Sequence, residues 1–385
     1  MHQISEIKFR QIIVMVFSKK SFLYSIVAFI AFLPLFAIAN SAETASENKE
    51  TVAKESQDPT AEMRAQIDEV KNHHVLDGHS FSLFEYEGHH IGFPLPIILW
   101  DNGIHVFSSS KFHNGESVAE SNGNFYWLGH DEKIYKTDAS GALTGEEHHP
   151  TNDKPLDFSI TKGVFSMLVI ALLMFLLFRS LGNSYSKNSG VAAGAGRFFE
   201  PIVLFIRDEI AIPNIGEKHY KKYMSHLLTV FFFIWFLNVI GMMPFGINVT
   251  GNISVTFGLA VLTFIITTFT AKKNYWLHIF WMPGVPVPMK FILAPIELMG
   301  AIIKPFSLMI RLYANMFAGH IVLMSLIGMM FIFKSWIGSP LAFGLSFIIL
   351  LIEILVTLLQ AYIFTMLTAL YFGSAVEEHH HEEAH

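Results

Sequence analysis

From residue 160 onward, hydrophobic residues form long continuous runs bounded by short polar or basic stretches. Three runs, residues 163–178, 227–245 and Ile253–Thr270, approach the ~20 apolar residues that a helix needs to cross a bilayer. These lengths predict three spanning helices. The short polar stretch between the second and third runs predicts a turn, so those two helices should form a transmembrane hairpin.

Two further runs near the C-terminus are longer than a bilayer requires. As continuous helices, residues 288–333 would measure about 69 Å and residues 341–372 about 48 Å, whereas the hydrocarbon core is about 30 Å thick. We therefore predict two long, steeply tilted helices, the first loosened by Pro295, Gly300 and Pro305. The Gly-Ser-Pro sequence at residues 338–340 predicts the turn between them.

A shorter segment, residues 198–212, is apolar on one side only. Its charged residues are Glu200, Arg207, Asp208 and Glu209. The segment is too short and too charged to span, so we predict an amphipathic helix that lies in the cytoplasmic interface. The basic residues Arg179, Lys187 and Arg197 place the preceding loop in the cytoplasm. The chain before the first spanning helix then lies on the opposite side.

The N-terminal region has the pattern of an export signal. Basic residues precede an apolar run at residues 22–38, which ends in the small-residue pattern Ala37-Ile38-Ala39. We interpret residues 1–39 as a signal peptide, although an uncleaved signal anchor fits the same length. Residues 40–60 are polar, charged and without periodicity, which is typical of a disordered linker.

Residues 61–157 have the composition of a soluble domain on the exported side. Strand-like stretches at Ser80–Tyr86, Pro96–Trp100 and 125–128, separated by Asn-Gly turns, predict a small domain with some β structure. The domain is rich in histidine: His73, His74, His79, His89, His90, His105, His113, His130, His148 and His149. Imidazole is a common metal ligand, but no HExxH or similarly spaced set is present. We favour a solvated, pH-responsive surface over a metal site.

Composition narrows the class of protein. Of 385 residues, 52% are hydrophobic and only 15% are charged, against about 25% charged in a soluble globular chain. The net charge is −6 and no basic stripe is available to neutralise phosphates, so we expect no nucleic-acid partner. The absence of cysteine excludes disulfides and thiolate chemistry. Without a Walker A loop, ATP chemistry must belong to another chain.

Polar and charged residues recur at helical spacing inside the run 288–333. Glu297, Lys304, Ser307, Arg311 and Asn315 follow at intervals of 7, 3, 4 and 4 residues, which places them on one narrow face of a helix. Several ionisable groups at membrane depth usually mark an ion pathway. Simpler explanations stay open for two of them, because Lys304 can reach the interface and Glu297 can pair with it. Arg311 is harder to explain structurally, since a guanidinium keeps its proton.

A second polar zone is expected behind this stripe. His320 lies nine residues beyond Arg311, about half a turn around a regular helix. In the last run, Glu353, Thr357 and Gln360 form another stripe at spacings of 4 and 3. We expect Glu353 to approach His320 across the helix pair, where a histidine and a carboxyl group suit proton relay.

A permanent cation in an apolar environment suits a particular task. A carboxyl group that is neutral in lipid ionises when an opposite charge comes within a few Å. We hypothesise that Arg311 discharges acids that move past it and separates an inward proton route from an outward one. Asn238, the strongly polar residue of the run 227–245, either joins such a route or makes a helix–helix hydrogen bond.

Ordered motifs carry a family resemblance. They are LNVIGMMP at 237–244, NISVT at 252–256, IEL at 296–298, KPFSL at 304–308, RLYANMFAGH at 311–320 and QAY at 360–362, together with Glu353. The chain resembles subunit a of F-type ATP synthases over residues 160–376. Its first 157 residues depart from the usual pattern of that family, but a lengthened N-terminus is similar to subunits a of the Bacteroidetes lineage.

The resemblance implies an all-α membrane domain of five to six helices at residues 158–376, followed by a cytoplasmic tail at 377–385. It implies a bacterial inner-membrane location, with the N-terminal domain periplasmic, and a non-catalytic, ion-translocating role. The implied partners are a ring of c subunits, the b subunits of the peripheral stalk, the rest of the ATP synthase and membrane lipids. No cofactor or metal is implied.

The resemblance also assigns roles to individual residues. Arg311 would face the ring carboxylates. An aqueous half-channel from the exported side would involve Asn238, Asn315, His320, Glu353 and Gln360. A second half-channel, to the cytoplasm, would involve Glu297 and Ser307. A self-contained secondary transporter is the alternative, although no internal inverted repeat is visible; a membrane metalloenzyme would lack a ligand set.

Overall fold

A computed structural model describes most of the chain between residues 77 and 376. The described ranges are 77–86, 89–115, 117–129, 131–142, 144–146, 149–150, 152–187, 194, 196–242, 247–282, 285–333 and 338–376. The predicted signal peptide, the linker at 40–60, the start of the predicted exported domain and the tail at 377–385 lie outside these residues.

Short antiparallel strands precede the helices. They are β1 (Ser80–Tyr86), β2 (His89–Pro94), β3 (Pro96–Trp100), β4 (Ile104–Ser108), β5 (Ala119–Ser121), β6 (Asn124–Leu128), β7 (Ile134–Thr137), β8 (Gly145–Glu146), β9 (His149–Pro150) and β10 (Leu156–Asp157). They form small sheets with the orders β1-β2, β10-β3-β4, β5-β6-β7 and β8-β9. The strands predicted at Ser80–Tyr86 and Pro96–Trp100 are confirmed, and the prediction at 125–128 falls within β6.

This β region has its own small hydrophobic core. The buried side chains include Ile97, Leu99, Phe107, Phe112 and Tyr126. They come from alternate positions of β3 and β4 and from the elements that follow, as the two-residue period of a half-buried strand requires. Between β5 and β6, Asn122 and Gly123 have φ values of 52° and 82°. A two-residue hairpin needs this left-handed pair, which Asn-Gly adopts at little cost.

Asp77 joins the β region to the first long helix, α1 (Lys162–Lys187). Its carboxylate accepts hydrogen bonds from the Thr161 hydroxyl and from the Gly163 N–H, both at 2.8 Å. A carboxylate at this point satisfies a free N–H of the first turn and interacts favourably with the helix dipole. Gly163 gives it room, because a Cβ there would lie 3.0 Å from both carboxylate oxygens.

A partly buried ion pair lies beside this cap. His79 Nε2 is 2.9 Å from Asp157 Oδ2. Burial alone would lower the pKa of His79, but the hydrogen bond and charge of Asp157, together with the charges of Glu132 and Asp77, raise it overall. Burial alone would raise the pKa of Asp157, but His79 and Ser159 lower it overall. Each partner therefore favours the charged form of the other.

Helices make up the rest of the described chain. After α1 come α2 (Gly196–Phe205), a π-helical segment (Ile206–Ala211), α3 (Ile212–Ile215), α4 (Tyr220–Gly241), α5 (Ile253–Thr270), α6 (Lys273–Phe280), α7 (Val287–Phe333) and α8 (Gly338–Val376). In the part of the chain that the structure describes, five helices are long and apolar enough to cross a membrane: α1, α4, α5, α7 and α8.

The helices confirm most of the predicted elements and correct others. The helix predicted at Ile253–Thr270 has those bounds, and residues 198–212 are helical. The turn predicted at 338–340 is wrong, because these residues begin α8; Pro340 is tolerated there, since the first helical turn does not need its N–H. Helix α6 was not predicted, because eight residues of mixed polarity give little periodic signal.

Helix α7 is continuous over 47 residues and runs through Pro295 and Pro305 without ending. At 1.5 Å per residue it is about 70 Å long, so tilt or curvature rather than a break must fit it to a bilayer. Its environment differs sharply from that of α4. Of the most apolar stretch of α4, 72% is buried within the chain, against 6% for α7. Helix α4 is therefore central, whereas α7 and much of α8 leave an outer face uncovered.

Candidate functional site

The polar stripe of α7 lies on that uncovered face. Lys304, Ser307 and Asn315 are exposed, and Glu297 and Arg311 are partly exposed. Large apolar side chains on both sides of the stripe are also uncovered: Ile303, Phe306 and Ile310. A row of polar groups within an apolar surface is suited to a partner that is itself mainly apolar and carries matching polar groups at intervals.

Arg311 lies on a helix turn whose opposite side is anchored in the core, and it has no charge partner among the described residues. Leu308 and Leu312, on the inward side of the same turns, are buried in the helix core. Among the residues that the structure describes, no carboxylate lies within ion-pair distance of the Arg311 guanidinium. Lys304, another member of the stripe, lies over the ring of Tyr371, with Nζ 5.9 Å from the ring centroid.

Asn315 connects the stripe to α8. Its Nδ2 donates a hydrogen bond to Gln360 Oε1 at 2.8 Å, and Gln360 is buried. Asn315 lies one helical turn beyond Arg311. This bond therefore fixes the position of α8 along α7 close to the arginine. Two of the predicted site residues are thus in direct contact.

His320 and Glu353 form the second polar zone, and the expected approach is confirmed. His320 Nδ1 lies 3.3 Å from Glu353 Oε1. Both residues are buried, with exposed fractions of 9% and 6%. The ring also meets two backbone carbonyl oxygens: Nδ1 is 3.2 Å from that of Met316, and Nε2 is 3.0 Å from that of Gly241 in α4. Three helices therefore meet at the His320 ring, and we call this the three-helix junction.

Two glycines make the junction possible. A Cβ on Gly319 would lie 2.8 Å from Glu353 Oε1, so the carboxylate can hold this position only because residue 319 has no side chain. A Cβ on Gly241 would lie 3.1 Å from the carbonyl oxygen of Ile247, so the α4–α5 connection can approach the end of α4 closely. Sequence reasoning missed both glycines; the available signal was their place directly before His320 and within the LNVIGMMP motif.

Asn238 lies one turn before Gly241 on α4 and is completely buried. Its Oδ1 accepts a hydrogen bond from the Thr250 hydroxyl at 2.6 Å. On the α8 side, the Thr357 hydroxyl donates to the backbone carbonyl of Glu353 at 2.6 Å and lies 3.7 Å from the sulfur of Met242. Asn238 therefore belongs to the α4 face that meets α7 and α8. Thr250 is a contact that the sequence did not indicate.

Glu297 stands apart from the junction, near the other end of α7. Its Oε1 lies 3.9 Å from Nδ1 of His278, at the end of α6, so its ion-pair partner is His278 rather than Lys304. Tyr275 lies on α6 with His278. Burial raises the pKa of Tyr275, and the charge of Glu297 raises it further. Tyr275 and Lys304 also line a small cavity of ≈ 20 Å³ between α5, α6, α7 and α8, which has room for about one water molecule.

These features define a class: a multi-pass membrane protein with ionisable groups at membrane depth on its two longest helices. Residues 164–373 match the model of the family described as ATP synthase A chain. This match covers more than half of the chain, and the chain belongs to that family. Residues 70–158 match a family described as a domain of unknown function.

Individual relatives agree with this assignment. The ATP synthase subunit a of Chloroherpeton thalassium is 42% identical over 235 residues, covering 60% of this chain and 70% of that protein. The ATP synthase subunit a of Chlorobium phaeobacteroides strain BS1 is 45% identical over 239 residues, covering 60% and 70%. The ATP synthase subunit a 2 of Prosthecochloris aestuarii is 38% identical over 310 residues, covering 76% and 94%. The predicted resemblance is confirmed.

Proposed function

We propose that this chain is the ion-translocating stator subunit of a rotary F-type ATP synthase and that it works beside a ring of c subunits. Family membership and the names of the relatives support the role in the synthase. The observation that carries the mechanism is Arg311: a guanidinium on an uncovered apolar face, without a carboxylate partner among the described residues. Such a group needs a partner from another molecule.

Arg311 controls the charge of the ring carboxyls. A carboxyl that reaches the guanidinium at about 4 Å gains about 4 kcal/mol for its ionised form at an effective dielectric constant near 20. This is enough to drive deprotonation of an acid that was neutral in lipid. The fixed positive charge also repels a free proton, so ions cross only by travelling on the ring.

The three-helix junction serves the half-channel from the exported side. The proposed members of this half-channel are Asn238, Asn315, His320, Glu353 and Gln360. The two carbonyl oxygens at the His320 ring only accept hydrogen bonds, so a ring that carries both N–H groups satisfies both of them. The Glu353 carboxylate balances the charge of that ring, and a proton passes between the two groups on its way to or from the c ring.

Glu297 and Ser307 serve the second half-channel, to the cytoplasm. Along α7, Glu297 is about 21 Å from Arg311 in one direction, and His320 is about 14 Å away in the other. The two titratable zones are therefore offset on either side of the arginine. This is the arrangement that converts a transmembrane potential of about 2.3 kcal/mol per charge per 100 mV into directed motion of the ring.

The proposed topology follows the distribution of basic residues. Residues 1–39 act as a signal peptide, 40–60 as a linker and 61–157 as a periplasmic domain. Residues 158–376 form the membrane domain, with two steeply tilted helices and an interfacial helix at 198–212, and 377–385 form a cytoplasmic tail. The subunit lies in the bacterial inner membrane, binds the b subunits of the peripheral stalk, and takes no part in the chemistry of ATP.

Replacement of Arg311 tests this function. In the whole synthase reconstituted in vesicles, Arg311→Ala should abolish ATP-driven proton pumping, because ring carboxyls would no longer be discharged. Arg179→Ala, at an exposed arginine of α1, is the matched control and should pump normally. Acidification by Arg311→Ala vesicles at the wild-type rate, with the same amount of assembled complex, would overturn the assignment.

A further inference from the structure

The connection between α4 and α5 folds into the membrane domain instead of extending away from it. Ile247, Asn248, Val249 and Thr250 are all buried. The approach is close because Gly241 has no Cβ, which would otherwise lie 3.1 Å from the Ile247 carbonyl oxygen. The connection therefore brings side chains to the end of α4, where α7 and α8 also arrive.

Thr250 is the member of this connection that reaches a residue of the proposed ion path. Its hydroxyl donates to Asn238 Oδ1 at 2.6 Å, and the exposed fractions of the two residues are 1% and 0%. An amide has an accepting end and a donating end. Since Thr250 holds the accepting end, the donating end, Nδ2, turns away from Thr250.

The donating end of the amide and the Glu353 carboxylate are both buried without a hydrogen-bond partner among the described residues. Nδ2 of Asn238 has no hydrogen-bond partner among the described residues, and neither carboxylate oxygen of Glu353 receives a directed hydrogen bond there. Asn238 is one turn from Gly241, whose carbonyl oxygen meets His320. A flipped amide would place its oxygen in a junction already rich in acceptors, so the orientation with the N–H groups inward is favoured.

We propose that Thr250 is a positioning residue for ion translocation. Its hydroxyl locks the Asn238 amide with the N–H donors toward the three-helix junction, where they stabilise the ionised form of Glu353 directly or through one water. This inference rests on the proposed function and adds to it a residue of the α4–α5 connection, which bonds to Asn238.

Three substitutions in the whole synthase test this role. Thr250→Val keeps the shape of the side chain and removes the hydroxyl, whereas Thr250→Ser keeps the hydroxyl. Thr256→Val is the matched control: Thr256 is also completely buried, but its hydroxyl bonds only to backbone carbonyls at the start of its own helix. The measurements are ATP-driven proton pumping per ATP hydrolysed, and its pH profile, in reconstituted vesicles.

Thr250→Val should slow pumping by about fivefold, as expected for the loss of one buried hydrogen bond, and should change the pH profile because the Asn238 amide is no longer held in one orientation. Thr250→Ser and Thr256→Val should pump with the wild-type profile. The proposal is overturned if Thr250→Val matches Thr256→Val, or if Thr250→Ser is as slow as Thr250→Val. If Arg311→Ala is inactive while Thr250→Val is normal, only this inference fails.

Discussion

The stripe around Arg311 and the three-helix junction around His320 lie on the same helix, yet their surroundings are opposite. Arg311 is on an uncovered face and has no ion-pair partner in the described chain, whereas His320 is buried and meets groups from α4, α7 and α8. One polar site is assembled from groups of the chain itself. The other presents a guanidinium for which the described residues hold no carboxylate partner.

The free-energy cost of placing an ionised group in hydrocarbon explains why the two sites differ. An ionised group in hydrocarbon costs a few kcal/mol or more unless it is paired or hydrated. The junction meets this cost internally, by placing a carboxylate and carbonyl oxygens around the His320 ring. The described residues supply no such carboxylate to Arg311, and under the proposed function the ring carboxyls supply it. Under the proposed function, the stripe stays open to a passing ring, whereas the His320 ring is held among three helices.

Chemical labelling should show the largest contrast between the two sites. The chain has no cysteine, so single substitutions can be labelled without background. Ser307→Cys, on the exposed stripe, should react readily with a small thiol reagent in the isolated chain and about tenfold more slowly in the assembled synthase, because a partner covers it. Thr357→Cys, which replaces a completely buried residue, should react slowly in both. Equal rates for Ser307→Cys in the two states would contradict the comparison.

A methyl group inside the junction should have a smaller effect. Gly319→Ala places a Cβ 2.8 Å from Glu353 Oε1, which must push the carboxylate away from His320. We expect proton pumping to fall by about fivefold, in line with ~1 kcal/mol of overpacking strain. The control is Gly300→Ala on the same helix, where a Cβ meets nothing within 4 Å. If both variants pump alike, tight packing at the junction is not important for transport.

The smallest effect is expected outside the membrane, at the His79–Asp157 pair. The raised pKa of His79 stabilises the fold below pH 6.5, and this contribution is lost as pH rises through the folded value. The lowered pKa of Asp157 stabilises the fold above pH 3.8, and this contribution is lost as pH falls through the folded value. The pair therefore stabilises the junction between the β region and α1 most between about pH 3.8 and 6.5.

Hydrogen exchange in the intact synthase measures that contribution. Amides of β10 and of the first turn of α1 should be most strongly protected in this pH window. Their free energy of opening should be ~1 kcal/mol higher there than at pH 8. Asp157→Asn should remove the pH dependence, whereas Asp138→Asn, at an exposed turn, should retain it. Protection that does not change with pH in the wild-type chain would show that the His79–Asp157 pair does not stabilise the contact between the β region and α1.

The membrane elements were largely predictable because their signals are local. The bounds of α5 follow from an apolar run that begins after Asn252, whose side chain accepts a hydrogen bond from the Ser254 N–H at 2.9 Å and so caps the helix. The spacing of the α7 stripe follows from the helical period alone. Helix α6 and the first turn of α8 were missed or misassigned, because short mixed segments and Gly-Ser-Pro sequences fit more than one local structure.

The candidate site was predictable residue by residue but not as a set of contacts. His320 and Glu353 were expected to meet, since each is the polar group on the inward side of its helix. The bond from Asn315 to Gln360, the pairing of Glu297 with His278, and the contact of Thr250 with Asn238 depend on how far one helix slides along another. That shift is set by the packing of many apolar side chains, which no short motif encodes.

By itself, the sequence determined which segments are apolar enough to span, which face of α7 is polar, and to which family the chain belongs. Only the tertiary structure decided that His320 is enclosed by three helices while Arg311, nine residues away, is left uncovered. The reason is that helical periodicity is a property of neighbouring residues, whereas enclosure depends on segments distant in the chain: Gly241, Glu353 and the buried α4–α5 connection.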